Sequence, residues 1–318
     1  MTITPRTVGE DDFCELDHGL RLCYRTDGHR TGEPLLLITG LGQQLIAWPQ
    51  AFVDDLVARG FYVIRVDNRD AGRSSRVPIS PPGLVHQVVR RFSDEQYTLD
   101  DMARDTIGLL DHLELDRVHL VGTSMGGMIA QTVAARYPER VTTLTSISSA
   151  TGHWYAGRMA PSTTMMMLRR RPSDRAGASE WTVKLLRHIG SRGYPIDEDA
   201  IRATALHAFD RGDGATAGEG LARQVGAVYK TGDRTRELRK VVAPTLVIHG
   251  GRDPMVHPSG GAATAAAIRG ARLVRIDGMG HDLPEEALPR LVRLIAQHAD
   301  TGHGRPGAPS ASDRPVVR

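Results

Sequence analysis

Gly122-Thr123-Ser124-Met125-Gly126, directly after the apolar run Val118-His119-Leu120-Val121, constrains this chain more than any other stretch. An apolar run closed by a serine between two glycines reads as a strand that turns sharply into a helix. A side chain at the tip of such a turn is pushed into an unfavourable backbone conformation, and its neighbours must be small so that adjacent backbone can pass. Gly122, Gly126 and Gly127 supply that room. The turn presents Ser124 as a candidate nucleophile.

The rest of the chain alternates short apolar strands with helices. Residues 12–16 and 20–25 predict an opening hairpin, and Leu35-Leu36-Leu37-Ile38 and residues 61–66 read as buried strands with a helix over 49–59 between them. A helix near 99–114, a strand at 117–121, the helix 125–137 after the turn and a strand at 141–147 follow. Helices between short apolar strands mean parallel crossovers. From about 150 to 240 the strands stop; residues 181–189 and 197–209 read as helices, with Gly- and Asp-rich breaks at 211–219. Alternation resumes with a strand at 245–248, a helix near 259–268, a strand at 272–276 and a closing helix near 286–298.

The expectation is an α/β fold: a mostly parallel, eight-stranded sheet with helices on both faces and an inserted helical cap. Core segments fall at 1–149 and 241–299, the cap at 150–240, and a tail at 300–318 whose Gly, Pro, Ser and Arg content predicts disorder. At 318 residues the chain suits one such core with an insertion.

Charge argues against a nucleic-acid partner. The formal net charge is +3, and the basic residues are nearly all arginine, with lysine only at 184, 230 and 240. They are spread along the chain instead of forming the concentrated stripe that nucleic acid requires. The densest run, Arg169-Arg170-Arg171, reads as a solvated helix end. No run approaches the roughly 20 apolar residues of a membrane span, and no basic segment leads into an apolar signal core, so a soluble, cytoplasmic protein without a membrane partner is expected. Cys14 and Cys23 are expected to face each other across the hairpin, reduced in a cytosolic setting. The histidines lack ligand spacing with cysteine or carboxylates, so neither metal nor cofactor is expected. A monomer or homodimer is consistent with all of this.

A serine hydroxyl needs a base within hydrogen-bond reach, and that base needs an acid to fix its tautomer. Asp253, in His249-Gly250-Gly251-Arg252-Asp253-Pro254, follows one strand and is the candidate acid. His281, in Asp277-Gly278-Met279-Gly280-His281-Asp282, follows the next and is the candidate base. Each motif alone also fits a plain turn or loop; their convergence at the C-terminal edge of one sheet carries the reading. The loop after the preceding strand, Ser146-Ile147-Ser148-Ser149, holds no carboxylate that would compete with Asp253. Asp282 is expected to cap the next turn, and His249 to pack beneath the site. Two backbone N–H groups are candidates for holding a developing oxyanion: Met125, at the start of the helix, and Leu41, in Thr39-Gly40-Leu41-Gly42.

With these residues in hand, the chain resembles the α/β-hydrolase superfamily from about residue 12 to residue 298. The order Ser124, Asp253, His281 is the order of that superfamily. Gly40-Leu41-Gly42, the stretches 67–74 and 97–103, and Gly122 to Met128 together resemble the aclacinomycin methylesterase-like branch, although many relatives carry histidine where this chain has Thr39. Asp67, Arg69 and Asp70 are expected to brace their loop through charged hydrogen bonds. The resemblance implies a cofactor-free serine carboxylic ester hydrolase that works through an acyl-enzyme on a small to medium hydrophobic ester, polyketide methyl esters included. Met165-Met166-Met167, Trp154-Tyr155 and Trp48 fit either lid packing against the core, the reading preferred here, or an apolar roof at the pocket mouth. Lactonases and carbon–carbon hydrolases use the same three side chains, and a non-catalytic small-molecule receptor uses the same fold; both readings stay open here.

Overall fold

The computed structural model describes residues 10–169 and 171–303. Its strands are β1 (Asp12–Glu15), β2 (Arg21–Asp27), β3 (Glu33–Ile38), β4 (Phe61–Val66), β5 (Val118–Thr123), β6 (Val141–Ile147), β7 (Thr245–Gly250) and β8 (Arg272–Ile276). They form one sheet in the order β1-β2-β4-β3-β5-β6-β7-β8. The first hairpin and the β2–β4 pair are antiparallel, and every pairing from β4 to β8 is parallel.

Parallel strands covered on both faces must be apolar at successive positions, since alternate side chains enter opposite layers. In β3, Leu36 and Ile38 join one core cluster while Leu35 and Leu37 join the other; in β4, Tyr62, Ile64 and Val66 separate in the same way from Phe61 and Val63. One face is covered by α1 (Gln50–Ala58) and α11 (Leu288–Ala299), through Phe52, Val53, Leu56, Leu291, Val292 and Ile295. The other is covered by α3 (Leu99–His112), α4 (Met125–Arg136) and α10 (Ser259–Ala267), the first two through Met102, Leu109, Ile129 and Val133. A short α2 (Leu84–Val88) precedes α3. A capping box in which Thr98 and Asp101 exchange hydrogen bonds starts α3.

Between β6 and β7 the chain forms α5 (Pro161–Met167), α6 (Arg175–Ile189), α7 (Glu198–Ala208), α8 (Ala217–Thr231) and α9 (Thr235–Leu238). The sequence reading stops short of α8, because Gly218, Gly220 and Gly226 weaken its helical pattern. Contact explains two of them: a Cβ at Gly220 would strike the Asp70 carbonyl, and one at Gly226 the Gln96 side chain. α8 thus lies against the core, where Arg223 pairs with Asp70 at 2.7 Å and Gln224 donates to the Arg69 carbonyl at 2.7 Å.

The hairpin differs from expectation in one respect. Register sets Phe13 opposite Cys23 and Cys14 opposite Leu22, so the two cysteines leave on opposite faces of the ribbon. Both are free and buried. The chain after α11 continues into a 3₁₀ turn over Asp300–His303, beyond the point where the tail was expected to begin. The rest of that tail, 304–318, and the first nine residues lie outside the described residues. Among the described residues, no helix is long and apolar enough to cross a membrane.

Candidate active site

Ser124 occupies the turn between β5 and α4 with φ 53° and ψ −120°, a conformation that side chains disfavour. The surroundings enforce it. A Cβ on Gly122 would collide with the Gly126 carbonyl, and one on Gly126 with the Ile38 carbonyl of β3, so both must be glycine for strand and helix to approach. The Ser124 N–H donates to the Ile147 carbonyl at 2.9 Å, and the Ser149 hydroxyl donates to the Ser124 carbonyl at 2.8 Å. Strain is thereby held by hydrogen bonds from the neighbouring strand.

The loops after β7 and β8 bring the other two side chains to the same edge. His281 Nε2 lies 3.0 Å from Ser124 Oγ, and His281 Nδ1 lies 2.7 Å from Asp253 Oδ2. The second oxygen, Asp253 Oδ1, accepts the N–H groups of Met255 at 2.9 Å and Val256 at 2.8 Å. Burial opposes ionisation of Asp253, but the His281 charge, hydrogen bonds from His249 and His281, and the Val256 N–H outweigh it and hold the carboxyl well below the usual carboxylate range. An ionised carboxylate only accepts, so Nδ1 carries the proton and Nε2 presents its lone pair to the serine hydroxyl. His249, fully buried, donates from Nε2 to the Val256 carbonyl at 2.8 Å and packs beneath Asp253.

Leu41 and Met125 stand where the sequence placed them, in the loop after β3 and at the first position of α4. Among the described residues, neither N–H makes a hydrogen bond to the protein. The loop is held rigid around them: Gly40 N–H donates to Gln43 Oε1 at 3.1 Å, Gly42 N–H to Gln224 Oε1 at 2.8 Å, and Thr39 Oγ1 to the Gln43 carbonyl at 3.1 Å. Thr39 thus braces its own loop through its hydroxyl. Asp67, Arg69 and Asp70 are buried in ion pairs with Arg211, Asp105 and Arg223, as their sequence context implied.

Several placements correct the sequence reading. Asp282 does not cap a turn; it accepts the Ser191 hydroxyl from the segment after α6, and that same oxygen accepts the Gly280 N–H at 2.9 Å. His281 N–H donates to the Ile189 carbonyl at 2.8 Å. The helical insertion therefore holds the His281 loop directly, a contact with no local signature beyond Gly190 and Gly280. Trp154 and Tyr155 are exposed and do not line the cavity, whereas Trp48 and Met167 do. Arg171 is not part of a solvated helix end; it is half-buried and lines the cavity. Arg170 lies outside the described residues.

Ser124 and His281 open into a cavity of about 1340 Å³ between the sheet edge and the helical insertion. Its walls include Ile46 and Trp48 from the β3–α1 connection, Trp181, Leu185 and Leu186 from α6, and Met255 from the acid loop.

A family model described as the alpha/beta hydrolase fold matches residues 33–288. The chain is 32% identical over 290 residues to rhodomycin D methylesterase DnrP of Streptomyces peucetius, spanning 85% of this chain and 92% of that one. It is 27% identical to 3-oxoadipate enol-lactonase 2 of Acinetobacter baylyi over 74% of this chain and 76% of the other. The solved structure of a thermophilic esterase from Thermogutta terrifontis aligns with a TM-score of 0.69 at 25% identity, covering 93% of this chain and all of that one.

Proposed function

Since the chain belongs to the alpha/beta hydrolase fold family, we propose that it is a serine carboxylic ester hydrolase in which Ser124, His281 and Asp253 form the catalytic triad. The observation that carries this reading is the unbroken hydrogen-bonded chain from Asp253 through His281 to Ser124 Oγ, opening into the cavity.

In the first step His281 Nε2 takes the Ser124 proton as Oγ attacks the ester carbonyl. The oxyanion that results is held by the Leu41 and Met125 N–H groups, a kind of contact worth about 3 kcal/mol per donor. Collapse transfers the proton from His281 to the leaving alcohol and leaves an acyl-enzyme. Water then repeats the sequence, with His281 as base, and frees the acid. Asp253 keeps the Nδ1 proton in place and stabilises the imidazolium that forms at each stage.

Cavity size bears on the substrate. A volume of about 1340 Å³ exceeds the roughly 300–1,000 Å³ of ordinary ligand pockets, so it accommodates an ester of several fused rings. Together with the likeness to a rhodomycin D methylesterase, this favours methyl esters of polycyclic polyketides over small esters. The residues 150–240 serve in this reading as a cap that forms the cavity roof. Lactone opening is the second reading, supported by the likeness to an enol-lactonase; it uses the same steps with a tethered leaving group. A receptor without catalysis has no need of the aligned histidine.

Replacement of Ser124 by alanine is expected to abolish methyl ester cleavage and fluorophosphonate labelling while leaving the far-UV spectrum unchanged. Turnover retained in that variant would overturn the assignment.

A further inference from the structure

Arg171 lies in the segment between α5 and α6, and its side chain lines the cavity into which Ser124 and His281 open. Its one polar contact among the described residues is Nη2 at 4.0 Å from the Met167 sulfur. A thioether is a weak acceptor, and a guanidinium carries five N–H donors, so Arg171 is unmatched among the described residues. Burial alone pulls its pKa below the ordinary arginine range, and no carboxylate acts to raise it.

The contrast with the other buried arginines is sharp. Arg65, Arg69 and Arg223 each pair with an aspartate. Arg234, which lacks one, spends its donors on the Met128 and Ala150 carbonyls and on Gln131. Three residues that line the cavity, Trp48, Trp181 and Ser148, also hold a buried polar atom without a partner among the described residues, the two indole N–H groups and the hydroxyl. An indole only donates. The carboxylates of the wall are engaged elsewhere: Glu198 with Arg187, Asp199 with Arg202, Asp197 at the start of α7, and Asp282 with Ser191. Glu285 and Glu286 are exposed, at the rim. Arg171 is thus a cation on the cavity wall with no carboxylate partner among the described residues.

We infer that the substrate carries, besides its ester, an ionised carboxylate that the Arg171 guanidinium binds within the cavity. The planar fork of a guanidinium suits the two oxygens of a carboxylate, and a partly desolvated pair of this kind discriminates strongly against neutral analogues. The inference deepens the ester hydrolase reading by naming a second group on its substrate, and it is testable without turnover.

The probes are monomethyl naphthalene-2,6-dicarboxylate, which bears one carboxylate, and its neutral carboxamide analogue. Binding is measured by calorimetry on Ser124→Ala protein, with Arg171 intact and with Arg171→Gln or Arg171→Lys added. The acid is expected to bind about tenfold or more tightly than the amide. That preference should vanish with glutamine, persist in part with lysine, and weaken with added salt. Equal binding of acid and amide to the arginine protein, or a preference that survives Arg171→Gln, overturns the inference. The lysine variant, which keeps the charge, covers the case in which the glutamine variant misfolds. In protein that retains Ser124, the acid-to-amide ratio of kcat/KM should fall by the same factor on Arg171→Gln. If neither probe nor any other ester is cleaved while acid binding still depends on Arg171, the hydrolytic reading fails and the carboxylate site stands.

Discussion

At the scale of single residues, the site is a matter of which atoms are allowed to accept. The His281 charge, together with the hydrogen bonds that Asp253 receives from the histidines and the backbone beside it, keeps Asp253 ionised in spite of burial. Its charge dictates the imidazole tautomer. In Asp253→Asn one oxygen is replaced by an N–H donor, the histidine is driven to the tautomer that carries its proton on Nε2, and Ser124 loses its base. We expect kcat to drop by a factor on the order of 10⁴ with the fold intact, as in serine triads generally. Steady-state kinetics on a methyl ester checks this, and a loss of less than tenfold would mean that Asp253 does not orient the base. These three positions were legible in the sequence because each follows an apolar strand and stands near glycines. Arg171 was not legible: three successive arginines look like a surface, and only the path of the chain between α5 and α6 brings Arg171 to the cavity.

Elements carry the next level of control. The histidine loop after β8 is short and glycine-rich, and it owes its position to the segment after α6. Gly280 packs against Gly190, Gly193 N–H donates to the Gly278 carbonyl at 3.0 Å, and the Ser191 hydroxyl bridges Asp282 and the Gly280 N–H. Removing that hydroxyl strands the buried Gly280 N–H and takes one hydrogen bond from Asp282, a change that costs about 1–3 kcal/mol. Ser191→Ala should therefore lower stability to urea by this amount, and it should depress kcat more than KM, because the base loses its support while the cavity wall stays. A variant with normal kcat and normal stability would show that the contact is incidental. The strand pattern of the core was readable because both faces of the sheet are buried. The helix α8 was not, since its glycines answer to contacts with Asp70 and Gln96 that lie far away in the chain.

For the molecule as a whole, the closing helix α11 seals one face of the sheet, and His298 near its end shows how. Its Nε2–H donates to the carbonyls of Leu144 and Pro244, at 3.2 and 3.1 Å. Burial lowers its pKa to about 4, against the opposing effect of those two bonds. A histidine depressed in the folded state leaves stability untouched above its unfolded pKa of about 6.5. As pH falls below that value the unfolded chain binds a proton that the folded one refuses, so stability declines until about pH 4 and then levels off. The decline attributable to His298 is up to about 3 kcal/mol. Urea titrations between pH 7 and pH 4 should show it, and His298→Gln should remove that component; an unchanged slope in the variant would place the acid sensitivity elsewhere. By itself the sequence determined the α/β architecture, the strained turn at Ser124 and the loops that carry Asp253 and His281, because strand periodicity, glycine placement and loop position are local properties of the chain. Only the tertiary structure decided that the insertion grips the histidine loop and that the cavity wall carries Arg171, a cation unpaired among the described residues. Those are contacts between residues distant in sequence, set by how the insertion packs over the sheet edge, and no local pattern encodes them.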